Sequence, residues 1–233
     1  MNEPALAVRN LHLAYGAAEI LRGIDLDVAP ARITCVLGRN GVGKTSLMRA
    51  LTGHHPARSG SIALAGTDIT RARPDARARA GLAYVPQGRE IFPMLSVREN
   101  LETGLAAGAA KRVPEHVFEL FPVLAGMLGR RGGDLSGGQQ QQLAIGRALT
   151  TDPSVLVLDE PTEGIQPSII QDIGRALRTL RDGHRMTILL VEQYLDFARE
   201  LADAVHVMDR GRIVHSGPPD ALDQPSVRAL LTV

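Results

Sequence analysis

The chain has 233 residues, a formal net charge of +1 and a hydrophobic content of 44%. This length suffices for one large α/β domain, and the nearly balanced charge argues against the strongly basic surface of an avid nonspecific nucleic-acid binder. The longest predominantly apolar run covers residues 186–191, far short of the roughly 20 residues that cross a bilayer, so we expect any membrane role to come through a partner.

The first part of the chain alternates short strand-like runs with turns. Gly, Asn, Asp and Ala-Pro separate the apolar runs, and a helical pattern begins after Gly43 and stops at Gly53. The predicted strands cover residues 6–8, 11–13, 24–28, 33–37, 61–64 and 82–85. The single cysteine, Cys35, cannot form an internal disulfide and is expected to be a buried core residue, which fits a cytosolic setting.

The middle of the chain is mostly helical from Ser96 to Leu128, with apolar residues at helical spacing. A block from Gly88 to Gly133 separates two strand-rich halves. We therefore predict one domain over residues 1–233, with an inserted helical subdomain of roughly residues 88–150.

The last part of the chain alternates helices with strands. The run 155–158 is continuously apolar, as expected of a parallel strand covered on both faces. This alternation predicts a layered α/β fold. The predicted elements are helices over residues 138–149, 168–180 and 195–202, strands over 155–158 and 187–191, and a hairpin of 204–208 with 212–216.

A group of arginines lies near Pro74: Arg71, Arg73, Arg77 and Arg79. These side chains could contact nucleic acid, but no aromatic residues interleave with them to stack on bases. A solvated helix face is the better interpretation.

Residues 38–45 read GRNGVGKT and match the phosphate-loop pattern G-x-x-x-x-G-K-[ST]. In this pattern the glycines turn backbone N–H groups toward phosphate oxygens, Lys44 reaches the β and γ phosphates, and the Thr45 hydroxyl can bind Mg²⁺. A strand precedes the loop, and a helix follows whose N-terminus attracts the same anion. We therefore predict nucleotide contacts at Gly38, Arg39, Asn40, Gly41, Val42, Gly43, Lys44, Thr45 and Ser46.

Four further residues are candidates for the same chemistry. Asp159 ends the run 155–158, the position that holds Mg²⁺ in phosphate-loop enzymes. Glu160 could orient or deprotonate a water that attacks the γ phosphate, although both carboxylates could instead merely cap the strand end. Gln87 follows another predicted strand, and its carbonyl oxygen could reach Mg²⁺ or the attacking water. Tyr15 could stack on adenine or be an ordinary half-buried tyrosine.

The order of these features resembles that of the ATP-binding cassette (ABC) ATPases over nearly the whole chain. The resemblance rests on Tyr15, the phosphate loop, Gln87, LSGGQ at residues 135–139, VLVLDE at 155–160 and VEQ at 191–193. It implies a phosphate-loop NTPase core with an N-terminal antiparallel β subdomain and an inserted α-helical subdomain. It also implies that the LSGGQ segment contacts the γ phosphate of ATP held by an opposite subunit, through Ser136, Gly137, Gly138 and Gln139.

Two positions depart from the common pattern of this family. Gln193 stands where a histidine is usual, and Gln166 stands where an aspartate is usual. Gln193 can hydrogen-bond a γ phosphate, which makes it a catalytic candidate beside Glu160, but it cannot carry the charge of a protonated histidine. Glutamine is usual at this position in the importers for branched-chain amino acids and urea. Within that branch, residues 88–93, 128–145 and 159–170 look most like the urea-importer ATPase, so we expect urea or short amides, with branched-chain amino acids as the alternative.

The resemblance implies an ATPase that powers import from the cytoplasmic face of the inner membrane, with ATP and Mg²⁺ as cofactors. Its implied partners are integral-membrane permeases, a second ABC ATPase chain in a homodimer or heterodimer and, indirectly, a periplasmic solute-binding protein, with no nucleic acid. A nontransport ABC ATPase that acts on ribosomes or DNA is an alternative, although such relatives usually carry two cassettes or long coiled coils. A nonhydrolysing nucleotide sensor is a further alternative, motivated by Gln166 and Gln193.

Overall fold

The computed structural model describes residues 3–107 and 111–231, whose strands form two sheets. The strands are β1 (Leu6–Tyr15), β2 (Ala18–Val28), β3 (Ile33–Leu37), β4 (Ser59–Leu64), β5 (Thr67–Asp68), β6 (Leu82–Val85), β7 (Val155–Asp159), β8 (Thr187–Glu192), β9 (Ala204–Asp209) and β10 (Arg212–Gly217). The α-helices are α1 (Lys44–Thr52), α2 (Pro74–Arg79), α3 (Val97–Leu105), α4 (Glu115–Leu120), α5 (Pro122–Ala125), α6 (Gly137–Leu149), α7 (Pro167–His184), α8 (Leu195–Leu201) and α9 (Pro225–Leu231).

The larger sheet has the order β10-β9-β3-β8-β7-β6, with parallel pairing from β9 to β6 and an antiparallel β9–β10 hairpin at one edge. Its central strands β3, β7 and β8 are buried along their whole length. In β8, Ile188 and Leu190 enter the core on one face, while Leu189 and Val191 enter a second core on the other. This two-sided burial explains why these strands read as continuous apolar runs.

The smaller sheet has the order β2-β1-β4-β5 and is antiparallel, as expected for the N-terminal subdomain. The separate strands predicted over residues 6–8 and 11–13 are wrong, because both belong to β1. The pairing shifts register between Val8 and Leu11, and Asn10 has a φ of 44°. A β-bulge therefore accommodates the polar residues between the two apolar runs, and the strand continues through them.

Arg77 corrects the prediction of a solvated arginine face. Its side chain is buried, and Nη1 donates to the carbonyl oxygens of Ala50 and Leu51 at 2.7 and 2.6 Å. These carbonyls lie in the last turn of α1, where helix carbonyls lack partners within the helix. Arg77 thus caps α1, whereas Arg73 remains exposed and pairs with Asp75.

The helical middle of the chain contains α3 to α6, with residues 108–110 of the predicted block outside the described residues. Apolar residues of α3 and α6, including Leu101 and Leu143, share a core with Leu156 and Leu158 of β7. The Thr150 hydroxyl at the end of α6 also donates to the carbonyl of Leu101 at 3.1 Å. The helices therefore pack on the sheet, and the boundary near residues 88–150 stays a prediction.

The predicted helices and strands of the last part of the chain are present, with ends shifted by a few residues, whereas α9 was not predicted. The largest change is in α7, which continues to His184 and ends at Arg185 in the left-handed conformation. Within residues 3–107 and 111–231, no helix combines the length and apolar character that crossing a membrane would require.

Candidate nucleotide site

The phosphate loop joins the buried end of β3 to the first turn of α1. Gly43 precedes the helix with a φ of 113°, and a Cβ atom there would lie 2.9 Å from Cε of Met208. Glycine therefore satisfies both the backbone conformation and the close packing. Lys44, Thr45 and Ser46 form the first turn of α1, and no side-chain hydrogen bond from the described part of the chain caps its N-terminus. The backbone N–H groups there can bind an anion.

Lys44 lies buried under the loop, with 4% of its surface exposed. Its Nζ atom donates to the carbonyl oxygens of Gly38 and Arg39 at 2.8 and 3.0 Å and lies 3.1 Å from Oε1 of Glu160. One ammonium group thus connects the phosphate loop to the end of β7.

The end of β7 meets the ends of its parallel neighbours β6 and β8. Glu160 follows β7 with a φ of 48°, and its N–H donates to the carbonyl of Val191 at 3.0 Å. Its Oε2 atom accepts hydrogen bonds from Nε2 of Gln193 at 2.7 Å and of Gln87 at 3.4 Å. The structure therefore brings together Lys44, Glu160 and both glutamines, as expected where parallel strands end at one edge.

Asp159 is 1% exposed and retains unused capacity to bind a cation. Its Oδ2 atom accepts a hydrogen bond from the Tyr84 hydroxyl at 3.2 Å, whereas the buried Oδ1 atom has no hydrogen-bond partner among the described residues. Burial raises the pKa of Asp159 to about 6, and the negative charge of Glu160 adds to the increase, while Tyr84 and Lys44 oppose it. A divalent cation at Oδ1 would satisfy this atom and favour the ionised carboxylate.

The chemistry of the surrounding donors also fits Mg²⁺, which prefers oxygen ligands. Within the described residues, no group of three or more His, Cys, Asp or Glu side chains could hold a metal. A site here would instead combine one carboxylate with hydroxyl and amide oxygens, the set that the sequence predicted at Thr45, Gln87 and Asp159.

Four polar side chains of this cluster were not predicted from the sequence. The Tyr84 hydroxyl contacts Asp159, Glu163 accepts a hydrogen bond from Nε2 of Gln87 at 2.9 Å, and Glu192 accepts one from the Thr162 hydroxyl at 2.9 Å. Each of these residues lies within three positions of a predicted site residue. This nearness to the site residues at the strand ends is the sequence feature that could have identified them.

The LSGGQ residues 135–139, here called the signature segment, begin α6. Ser136 Oγ accepts the N–H of Gln139 at 3.3 Å, and Oε1 of Gln139 accepts the N–H of Ser136 at 3.0 Å. This is a capping box, so Gln139 stabilises the helix end in addition to its predicted role at a phosphate. Ser136 to Gln139 line a cavity of about 510 Å³ together with Gly164 and Gln166.

Tyr15 lies at the end of β1, and 38% of its surface is exposed. Its ring centre is 4.4 Å from that of His55, with the planes tilted by 39°. Tyr15 therefore has one covered side and an exposed part that suits stacking on a base.

Comparisons with known proteins show which family the chain is similar to. The model of the ABC transporter family matches residues 21–163. The high-affinity branched-chain amino acid transport ATP-binding protein BraG of Pseudomonas aeruginosa is 39% identical over 218 residues, which are 92% of this chain and 93% of BraG. The probable branched-chain amino acid transport ATP-binding protein LivF of Archaeoglobus fulgidus is 35% identical over 215 residues, 91% of each chain.

A solved structure extends the similarity to three dimensions. The ADP conformation of MJ1267, an ATP-binding cassette of an ABC transporter, has a TM-score of 0.87 and 27% sequence identity, covering 98% of both chains. Because sequence and fold agree over almost the whole chain, the protein belongs to the ABC transporter family, as one of its ATP-binding, ATP-hydrolysing subunits.

Proposed function

We propose that this protein is the ATPase of an importer for branched-chain amino acids and works on the cytoplasmic face of the inner membrane. The observation that carries this proposal is the near full-length similarity to BraG and LivF, both described as branched-chain amino acid transport proteins. Gln193, in place of the usual histidine, fits the same branch of importers.

Urea or a short amide is the second candidate for the solute. It is favoured by residues 88–93 (GREIFP) and 159–170 (DEPTEGIQPSII), which resemble the urea-importer ATPase. The two relatives above are named for branched-chain amino acids, so the first candidate has the stronger support.

In the proposed mechanism, Glu160 is the general base for the water that attacks the γ phosphate. Its carboxylate is held from three directions, by Nζ of Lys44 at 3.1 Å and by the amide groups of Gln193 and Gln87. A base with a fixed orientation loses little freedom as the reaction proceeds. Gln193 orients Glu160 and can donate to a phosphate oxygen, and Lys44 binds the β and γ phosphates.

Mg²⁺ is the proposed metal, with Thr45, Gln87 and Asp159 as its ligands. The unpartnered Oδ1 atom of Asp159 supports this assignment. Gln87 donates its amide hydrogens to Glu163 and Glu160, which leaves its carbonyl oxygen as the metal-binding end. When bound, the metal neutralises charge on the β and γ phosphates.

The partner at the signature segment is proposed to be a second ABC ATPase chain that carries ATP. Within the described part of the chain, no hydrogen bond or ion pair joins residues 135–139 to the phosphate loop. Ser136 is exposed at the start of α6, where backbone N–H groups attract anions. Closure of a head-to-tail dimer would therefore complete two sites, and ATP hydrolysis would reopen them.

The permease is proposed to dock beside the segment that follows Gln87. A groove of about 660 Å³ there is lined by apolar residues that include Pro86, Ile91 and Phe92, and Phe92 and Met94 are 47% and 72% exposed. The groove also contains Tyr84, whose hydroxyl contacts Asp159. A short helix bound in this groove would thus contact Tyr84, which in turn contacts Asp159 at the proposed metal site. A periplasmic solute-binding protein would act indirectly, through the permease.

The decisive experiment is transport by the full chain reconstituted with its permeases and solute-binding protein in liposomes. ATP-dependent uptake of radiolabelled leucine, with no uptake of urea, is the expected result. Uptake of urea alone would replace the proposed solute with the second candidate. Mg²⁺-dependent ATP turnover without any uptake, together with copurification with ribosomes or DNA, would contradict the transport function.

A further inference from the structure

Glu192 is a buried carboxylate to which the mechanism above assigns no role. It ends β8 in the middle of the larger sheet and is 2% exposed. No ion pair of the described residues includes it. Burial raises the pKa of Glu192, while the hydrogen bonds that it accepts oppose this effect. Such a group is costly in a protein interior unless its oxygens are well satisfied.

Four donors satisfy Glu192, and they come from the two loops that flank the proposed base. Oε1 accepts hydrogen bonds from the backbone N–H and the hydroxyl of Thr162 at 3.2 and 2.9 Å. Oε2 accepts the backbone N–H groups of Gln193 and Tyr194 at 3.0 and 3.4 Å. One side chain thus connects the turn after β8 to the loop after β7.

These loops carry Glu160 itself and one of the groups that hold it, Gln193. Thr162 lies two residues after Glu160, and Nε2 of Gln193 donates to Glu160 at 2.7 Å. The Glu160 N–H is bonded to Val191, the residue before Glu192. A displacement of either loop would therefore change the distance between Gln193 and Glu160.

The four donors also explain why a carboxylate is needed here. An ionised carboxylate only accepts hydrogen bonds, whereas a glutamine amide presents two N–H groups on one side. A glutamine at position 192 would have its NH₂ group in place of either Oε1 or Oε2. In the first orientation the NH₂ group would face the backbone N–H of Thr162, and in the second it would face that of Gln193.

We propose that Glu192 is a positioning residue for ATP hydrolysis, which is anchored by Thr162 and holds Gln193 in the orientation that Glu160 requires. Glu192 does not touch the nucleotide. It acts through Gln193, so the inference rests on the roles proposed above for Glu160 and Gln193.

The first test is Glu192→Gln in the full chain assembled with its permeases. We expect kcat for ATP to fall by about 10- to 100-fold, the range for a slightly misplaced catalytic group, with KM for ATP changed by less than about threefold. A kcat within about twofold of wild type would overturn the proposal. A parallel rise of KM without loss of kcat would also overturn it, because that result indicates a binding role.

A double-mutant cycle distinguishes positioning from a general loss of structure. If Glu192 acts through Gln193, adding Glu192→Gln to Gln193→Ala should lower kcat by less than about twofold beyond Gln193→Ala alone. Multiplicative losses would contradict the proposal. If Glu160→Gln and Gln193→Ala both leave turnover unchanged, the roles proposed for Glu160 and Gln193 are wrong. This result differs from a failure of the Glu192 proposal, because it is obtained without any variant of Glu192.

Thr162 provides an independent variant should Glu192→Gln not fold. Thr162→Val removes one donor to Glu192 at constant size and should lower kcat in the same nonadditive way, while Thr162→Ser, which keeps the hydroxyl, should restore most of the turnover. Thr150→Val is the matched control, because the buried Thr150 hydroxyl donates to Leu101, outside the nucleotide site. We expect this control to lower the melting temperature and leave kcat unchanged. An equal loss of kcat in Thr150→Val and Thr162→Val would contradict the inference.

Discussion

The phosphate loop and the signature segment are equally distinct in the sequence, but the fold supports them differently. Around the loop, Lys44 and Glu160 are both buried and bonded to each other, and Gln193 and Gln87 complete the contacts of Glu160. In the signature segment, Ser136 is exposed, and the capping box at the start of α6 is its only side-chain hydrogen bond within residues 3–107 and 111–231.

This difference separates the part of the proposed nucleotide site that one chain supplies fully formed from the part that requires a second chain. Buried charges near the loop satisfy one another, so each is held in place by the rest and by the sheet edge. In the proposed mechanism, the exposed start of α6 offers its anion-binding N–H groups to the nucleotide of a second chain. We therefore expect substitutions near the loop to change nucleotide binding by the isolated chain. Substitutions in the signature segment should leave that binding unchanged and affect the assembled dimer, apart from a modest loss of stability where they remove the helix cap.

The largest expected effect comes from Glu160→Gln, which tests the loop side of the comparison. Without a general base, kcat should fall by about 10²- to 10⁴-fold while nucleotide binding is retained. The slow variant should accumulate as an ATP-bound closed dimer, measured by light scattering with and without ATP. Turnover at the wild-type rate would remove Glu160 from the role of base.

The Ser136→Arg variant tests the signature segment. A large cation at the start of α6 should block closure on a partner's ATP, so turnover should fall by at least about 100-fold, as for loss of a principal transition-state contact. Equilibrium binding of a fluorescent ATP analogue to the monomer should be unchanged. If monomer binding were abolished instead, the signature segment would have to serve the nucleotide of its own chain.

Lys44→Met should weaken nucleotide binding by about 10- to 100-fold, because a charge-assisted hydrogen bond contributes roughly 1.5–3 kcal/mol. It should also lower the free energy of unfolding by about 3–5 kcal/mol, since Glu160 would be left buried without its cation. Nucleotide titration and chemical denaturation measure the two effects.

The double variant Lys44→Met/Glu160→Gln is the matched control for this experiment. Removing both charges should recover most of the stability but none of the nucleotide affinity. A double variant as unstable as Lys44→Met would show that the loss of stability does not come from the unpaired carboxylate.

The smallest effect is expected from Asp159→Asn as a function of pH. Burial raises the pKa of Asp159 from 3.8 to about 6, so the folded chain binds this proton more tightly than the unfolded chain. The contribution of Asp159 to stability is therefore greatest at low pH and is lost as pH rises from about 4 to about 6. Relative to wild type, Asp159→Asn should gain at most about 3 kcal/mol across this window, measured by denaturation without divalent cations.

Addition of Mg²⁺ and ATP gives the corresponding control at pH 7. Ligand binding should stabilise wild type more than Asp159→Asn, because the amide lacks the charge that binds the metal. Equal stabilisation of both proteins would argue against Asp159 as a metal ligand.

The sequence predicted the structure correctly where a short-range pattern of residues was sufficient. The phosphate loop, the buried strands and the hairpin of β9 and β10 follow from short-range patterns, and the fold class is confirmed. Prediction failed at β1, where a bulge continues the strand through a polar pair. It also failed at Arg77, which donates to two carbonyl oxygens 26 and 27 residues away in addition to two nearby ones. Spacing along the chain does not reveal such distant contacts.

By itself, the sequence determined the residue types and their order along the chain, which identify a phosphate-loop ATPase with a signature segment. Only the tertiary structure decided that Lys44 pairs with Glu160, that Oδ1 of Asp159 lacks a partner among the residues described, and that Glu192 connects two loops. The reason is that parallel pairing brings the ends of β6, β7 and β8 together at one edge of the sheet, although long stretches of chain separate them in sequence.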